Sequence, residues 1–219
     1  MTAPPRMHAT VMTHPRLIEF GPQVPRRGNT FSRGLGLLLL RLIGWRVRGQ
    51  FPDTPKAVVI IAPHTSNYDG VVVVAALLAL GLRLSFFVKH TAFRWPVAGL
   101  MRWFGALPVN REDSHNLVAF SAGKFREKEQ LLLAMAPEGT RHAADSWKSG
   151  FYWMAREAGV PIICAGFDYA RRELVILHTL TPSGDLDAEL PAIIAQYRDM
   201  APCRPERLSA PLRALQQRQ

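Results

Sequence analysis

Cysteine is nearly absent from this chain: Cys164 and Cys203 are the only two in 219 residues. Two are too few for a disulfide framework. No cysteine–histidine cluster has metal-ligand spacing, so no metal site is assigned. There is no G-x-S-x-G turn to carry a nucleophilic serine and no glycine-rich loop to cradle a nucleotide. Lysine is also scarce. Only Lys56, Lys89, Lys124, Lys128 and Lys148 stand among the 27 basic residues, and arginine supplies the rest. The formal charge of +10 points to an anionic partner or surface. A skewed coding composition would produce the same arginine bias, so total charge carries little weight alone. No secretory signal is evident, because the first apolar run begins late and lacks a cleavage-like end.

What is present fits one domain with a substantial core. Residues 1–30 are dotted with Pro4, Pro5, Pro15, Pro22 and Pro25 and read as a flexible arm, or a strap across the surface. Phe31 to Gly49 mixes leucines, Ile43 and Trp45 with Arg33, Arg41, Arg46 and Arg48, and is too short to span a bilayer. It reads as an amphipathic helix over 31–50, lying at a membrane interface or packed on the domain. From 51 to 202, apolar strand-like runs alternate with helical patterns. Strands are expected at Ala57 to Ala62, Leu84 to Val88, Ala106 to Val109, Leu131 to Ala136, Pro161 to Ala165 and Glu173 to Leu177. Helices are expected at Asp69 to Leu80, Trp95 to Phe104, Asp113 to Glu129, Trp147 to Ala158 and Asp187 to Met200. That alternation predicts an α/β fold, with a mainly parallel or mixed central sheet flanked by helices. Residues 203–219 read as a polar, arginine-rich tail, either a short helix or a loose end.

Two strand ends carry the chemistry. VVIIAPHTSNYDG runs from a buried strand through a polar turn into a helix, with His64 and Asp69 five positions apart. On a continuous helix that spacing points side chains apart, since each step turns about 100°. A His–Asp contact therefore needs a loop-to-helix transition, for which Thr65, Ser66 and Asn67 supply capping chemistry. The pair is either a satisfied polar turn or a base whose imidazole an aspartate orients. The second strand end is LLLAMAPEGTR. Gly139 permits close approach of a ligand to the backbone, and Arg141 offers a fork of donors for phosphate or carboxylate. Taken alone, this motif fits a surface turn with an ion pair equally well. Lys89 and Lys148 could hold a phosphate or stand in solvent. Glu138 could meet a substrate hydroxyl or orient Arg141. Phe151, Tyr152 and Trp153 read as core, or as one wall of an acyl tunnel.

These motifs resemble the glycerolipid acyltransferases typified by lysophosphatidate acyltransferase. Four blocks of that family occur in order: His64 to Asp69, Gly105 to Arg111, Pro137 to Arg141, and Val160 to Ile163. The resemblance covers Ala57 to Asp168. It implies an acyl transfer from acyl-ACP or acyl-CoA to a lysophospholipid, with His64 as general base and Asp69 orienting it. Lysophosphatidate is the first acceptor to expect and another lyso-lipid, such as a lyso-ornithine lipid, the second. By the same resemblance Arg111 and Arg141 contact the acceptor phosphate, with Lys89 and Lys148 as further candidates. Glu138, Gly139, Thr140 and Asn67 are the substrate and oxyanion candidates, with backbone N–H groups near the helix start or Gly139 as donors. No metal and no bound cofactor is implied. The expected partners are the donor, the acceptor and an anionic membrane touched peripherally from its cytoplasmic face, with no nucleic acid. A different class of protein, a basic non-catalytic binder of membranes or nucleic acid, would leave the His64 and Asp69 pair without a purpose.

Overall fold

The apolar runs in the middle of the chain pair with one another. The computed structural model describes residues 18–93, 97–109 and 114–217. It sets β2 (Lys56–Ala62) between β5 (Leu131–Met135) and β6 (Ile162–Asp168), both pairings parallel. β3 (Ser85–Lys89) and β4 (Ala106–Val109), joined through α3 (Val97–Trp103), continue the sheet beyond β5. On the other side, β7 (Glu173–Leu180) and β1 (Arg46–Arg48) continue it beyond β6. The order is β1-β7-β6-β2-β5-β3-β4, and among the described pairs only β6–β7 is antiparallel. The sheet is mixed and mostly parallel, as the alternation of strands and helices predicts.

β2 shows why its sequence lacks a polar alternation. Ala57 and Val59 face one helical layer, and Val58, Ile60 and Ala62 face the other. A strand covered on both sides has no solvent face to mark with polar residues. One layer is α1 (Thr30–Ile43) with α2 (Tyr68–Leu80). The other contains α4 (Ser114–Glu127), α5 (Gly150–Ala158), α6 (Leu186–Ala195) and α7 (Ala210–Gln216).

The structure departs from the sequence reading in several places. The helix expected over 31–50 stops at Ile43, because Gly44 takes φ +71° and its N–H closes on the carbonyls of Arg41 and Leu40. Trp45 is then buried, and Arg46 to Arg48 become an edge strand beside β7. Residues 18–29 lie against the domain: Val24 is buried, Arg27 N–H donates to Gly81 O, and Arg83 N–H donates to Pro25 O. Residues 1–17 lie outside the described residues. The tail takes the first of its two expected forms, a short helix, α7, and Leu208 just before it and Leu212 within it enter the second core. Helix α5 starts at Gly150, later than the expected Trp147, because Trp147 and Lys148 are drawn into contacts with Ser209 and Pro137. β6 and β7 run longer than expected because they form one hairpin with seven matched pairs.

α1 divides into two faces. Leu40 and Gly36 are buried against the domain, and Phe31, Leu35, Leu38 and Leu42 lie exposed along an i, i+4, i+7, i+11 stripe. Among the described residues no helix is long and apolar enough to cross a membrane. Close approach of α1 to α2 rests on glycine. A Cβ at Gly36 would stand 2.1 Å from the backbone nitrogen of Ala79, whereas one at Gly34 would meet nothing within 4 Å. Gly36→Ala is expected to lower the unfolding free energy by about 1–3 kcal/mol through overpacking. Gly34→Ala should raise it by roughly 0.5–1 kcal/mol by helix propensity alone. Urea denaturation of both variants checks the pair, and equal effects would remove Gly36 from the helix contact.

Candidate active site

Three adjacent parallel strands, β6, β2 and β5, end on the same edge of the sheet. In open α/β sheets that carboxyl edge is where loops present reactive groups on a rigid support. The registers Ile60↔Met135 and Ala62↔Gly166 bring the three following loops together. They carry His64 after β2, Glu138 after β5, and Tyr169 after β6.

His64 Nδ1 lies 2.8 Å from Asp69 Oδ2. Asp69 occupies the first turn of α2 and its side chain is fully buried. The same Oδ2 accepts the backbone N–H groups of Thr65 at 3.1 Å and Ser66 at 3.0 Å. Its other oxygen, Oδ1, accepts the Tyr169 hydroxyl. With two backbone N–H groups and a phenol donating to it, the Asp69 carboxylate is placed to accept from Nδ1, which suits the tautomer with Nε2 as acceptor. The loop-to-helix transition required by the five-residue spacing is present, but its capping differs from expectation. Asn67 is the N-cap residue and makes no side-chain cap. Ser66 Oγ accepts from Tyr68 N–H instead, and Asp69 bonds back to the loop.

Glu138 is 3% exposed. One oxygen accepts the backbone N–H of His64 at 2.6 Å, and the other accepts the Ser209 hydroxyl at 3.1 Å. Ser209 Oγ in turn accepts Trp147 Nε1–H at 3.2 Å. Burial raises the Glu138 carboxyl above the usual range, against the pull of the His64 N–H and the Ser209 hydroxyl. Both oxygens are thus occupied by the protein. Glu138 ties the loop after β5 to the backbone of His64, and Arg141 is not among its hydrogen-bond partners in the described residues.

His64, 28% exposed at its side chain, lines two cavities. The first, about 650 Å³, is almost wholly apolar; α1 and α2 wall it with Leu39, Ile43, Val71, Val74 and Leu77, above Ile61 and Phe86 of the sheet. The second, about 540 Å³, is mixed and basic, lined by Thr140, Arg141, His142 and Lys148 with Phe87 and Leu117. Met135 and Ala136 belong to both. Gly139 holds φ +69°, and a Cβ there would stand 2.9 Å from Lys148 Cε, so glycine is what lets the Lys148 stem lie over this turn.

Of the residues singled out from sequence, His64, Asp69, Asn67, Glu138, Gly139, Thr140, Arg141 and Lys148 converge here. Lys89 closes β3 opposite Val109, and its side chain lies outside the described part of the structure. Arg111 lies outside the described residues. The backbone N–H groups of Thr65, Ser66, Tyr68, Gly70 and Gly139 all have partners within the protein, so none of these five is an open oxyanion donor. Phe151 and Tyr152 are buried in the second core, with the Tyr152 hydroxyl donating to Glu189 at 2.7 Å. Neither they nor Trp153 lines the two cavities. Cys164 is buried, and burial pushes its thiol up to about 11. Sequence reasoning missed Tyr169, His142, Trp147 and Ser209. Tyr169 had a visible signal, a phenol directly after an apolar strand; Ser209 had none.

Comparison with known proteins agrees with the fold and the strand-end motifs. The family model described as Acyltransferase matches residues 45–168, more than half of the chain. Over 144 residues the chain is 28% identical to a 1-acyl-sn-glycerol-3-phosphate acyltransferase of Streptococcus pneumoniae (strain ATCC BAA-255 / R6). The aligned part is 61% of this chain and 52% of that protein, so the chain spans about half the length of the curated relative it matches. Its fold resembles the crystal structure of the 1-acyl-sn-glycerophosphate (LPA) acyltransferase, PlsC, from Thermotoga maritima, with a TM-score of 0.58 at 16% identity. That likeness covers 85% of this chain and 78% of the other.

Glu138 gives this site a stability test. Glu138→Ala strands the His64 N–H and the Ser209 hydroxyl and should cost about 1–3 kcal/mol. Glu138→Gln can accept one and donate to the other, and should cost less. The pH dependence has a sign as well. The folded protein holds the Glu138 proton more tightly than the unfolded chain, so that stability is complete below the ordinary carboxylate range and lost as pH rises through the raised value. Glu138→Gln lacks this slope, so its deficit against wild type should shrink with rising pH. Denaturation curves at several pH values read both effects, and a Glu138→Ala protein of wild-type stability would refute the tether.

Proposed function

The chain belongs to the acyltransferase family, and from that premise we propose that it moves a fatty acyl chain from a thioester, acyl-ACP or acyl-CoA, to the free hydroxyl of lysophosphatidate. The observation that carries this reading is the position of His64 at the junction of an apolar and a basic cavity. A lysophospholipid and an acyl thioester each join a long hydrocarbon to an anionic group, and the reacting atoms lie where the two chemistries meet.

In this mechanism Nε2 of His64 takes the proton of the acceptor hydroxyl as its oxygen attacks the thioester carbonyl carbon. Asp69 stabilises the imidazolium that forms and keeps the ring in its working tautomer. The tetrahedral intermediate then collapses by breaking the carbon–sulfur bond. The imidazolium returns its proton to the departing sulfur, leaving a new ester and a free thiol. Arg141 and Lys148 hold the acceptor phosphate in the basic cavity, and Arg111 is a third candidate by its place in the motif. Holding the acceptor in line with the thioester contributes by itself several kcal/mol of barrier reduction. Thr140 and Asn67, at the rims of the two cavities, remain the side chains proposed to meet substrate.

The reading extends to a membrane. The stripe Phe31, Leu35, Leu38 and Leu42 is exposed on α1, whose other residues wall the apolar cavity. Arg41, Arg46 and Arg48 are exposed beside its C-terminal end. An apolar stripe flanked by guanidinium groups suits an anionic lipid interface. On this reading the protein is peripheral, at the cytoplasmic face, with the cavity opening toward the lipid that supplies the acceptor.

Thiol release from acyl-CoA, with and without lysophosphatidate, tests the reaction. His64→Ala should lower turnover about 10²–10⁴-fold with the fold intact, and near-wild-type turnover would sink the mechanism. Arg141→Lys loses the two-pronged contact and should lower acceptor kcat/KM on the order of tenfold to a hundredfold. With an unphosphorylated monoacylglycerol the loss should be smaller, and equal losses on both acceptors would remove Arg141 from the phosphate site. For the membrane, the double variant Leu38→Glu, Leu42→Glu should bind vesicles containing anionic phospholipid on the order of tenfold or more weakly. Unchanged co-sedimentation would take α1 out of the interface.

A further inference from the structure

The strand-end tyrosine does something the proposed reaction does not yet use. Asp69 Oδ2 takes three donors: His64 Nδ1 and the N–H groups of Thr65 and Ser66. Among the described residues, Tyr169 is the one donor to Oδ1. Its ring is held on several sides. Trp45 packs edge-on at 4.8 Å between centroids, Phe167 and Tyr68 lie at 6.5 and 6.4 Å, and the Tyr169 backbone N–H donates to Ala201 O at 2.9 Å. The phenol therefore arrives at Asp69 from a fixed direction, from the loop after β6, the strand paired directly with β2.

We propose that Tyr169 is a positioning residue for the His64–Asp69 pair: it fixes the rotation of the Asp69 carboxylate and draws off part of its charge, setting the pH at which His64 becomes a free base. This rests on the reading of His64 as the general base. Without the hydroxyl, Oδ1 is a buried acceptor with no donor, and the carboxylate is free to turn about its χ2. With the hydroxyl, less negative charge stands on Oδ2 to stabilise the imidazolium. Burial, and then the Asp69 carboxylate, push the Tyr169 phenol far above its ordinary range, so it stays a protonated donor at any working pH. The other ionisable groups around the pair are Glu138, Arg141, His142 and Lys148 from the loop after β5, Tyr68 from α2, and Cys203 against the Tyr169 hydroxyl. All of them are present in wild type and variant alike, so a change at Tyr169 alone isolates its own effect.

The test uses the full chain and two substitutions. Tyr169→Phe keeps the ring packing and deletes the donor. Site-specific 3-fluorotyrosine at 169 keeps the shape and makes the hydroxyl a stronger donor. Two measurements are made on each: the pH–rate profile of thiol release with lysophosphatidate, and the titration midpoint of the His64 imidazole by NMR with labelled histidine. His64→Gln assigns the resonance. For Tyr169→Phe, kcat should fall about tenfold with acceptor KM within about twofold. The acid limb and the His64 midpoint should both move up by roughly half a pH unit. Fluorotyrosine should move both the other way. An unchanged His64 midpoint in folded Tyr169→Phe would overturn the proposal, as would both substitutions moving it in one direction, which is the mark of a merely structural residue. If Tyr169→Phe fails to fold, the fluorotyrosine protein decides by the sign of its shift. The NMR arm needs no turnover. A protein inactive on every acceptor but with opposite midpoint shifts would retain this inference while losing the proposed reaction.

Discussion

A carboxylate with no exposure to water is tolerable only when the protein supplies what water supplied. Asp69 meets that demand with four donors drawn from three places: its own loop through Thr65 and Ser66, the His64 ring, and Tyr169 beyond β6. Much of the architecture around the site follows from that requirement. The loop after β2 must fold back over the first turn of α2 to present two N–H groups, and β6 must run beside β2 in register to deliver a phenol. Oδ2 has three donors and Oδ1 one, so loss of the Tyr169 hydroxyl would leave a buried oxygen without a donor, at a cost of about 1–3 kcal/mol.

Glu138 repeats the arrangement on the other flank. Its two oxygens join the loop after β5 to the His64 backbone and to Ser209 near the C-terminal end. His64 is therefore fixed through its backbone by one buried acid and through its ring by another. Both acids are buried. The two cavities are lined by His64, Asn67, the apolar walls of α1 and α2, and Thr140, Arg141, His142 and Lys148. This division separates rigidity from recognition. Buried carboxylates hold His64 through its ring and its backbone, while cations and hydrocarbon walls line the cavities beside it.

α1 shows how one sequence pattern serves two neighbours. Its leucines are too numerous for a single packed face, and reading them as one long helix at an interface merged two elements. The helix ends where Gly44 enters the left-handed region, and Trp45 turns inward to pack on Phe167 and Tyr169. Trp45 thus belongs to the support of the site through Tyr169. Nothing in the local run of arginines and leucines distinguishes that tryptophan from a lipid-facing one. Its role depends on β6, more than a hundred positions away, having paired with β2.

The sequence by itself determined most of the elements and the contact between His64 and Asp69. Apolar runs bounded by polar turns set the strands, and the H-x-x-x-x-D spacing forced a loop-to-helix junction because no continuous helix lets those residues meet. The acidic, glycine and arginine cluster after β5 was legible for the same reason: strand ends gather exposed polar groups. The tertiary structure alone decided which strands are neighbours, and with that which strand ends share an edge. Parallel pairing joins segments distant in the chain, and hydrophobic pattern says that a strand is buried without saying beside what. Tyr169 and Ser209, 100 positions from Asp69 and 71 from Glu138, therefore became site residues only through the register of the sheet and the return of the C-terminal segment. The role of Glu138 changed for the same reason. Its carboxylate could be read locally as a ligand group, whereas the His64 backbone and the Ser209 hydroxyl that it accepts from are brought to it only by the fold.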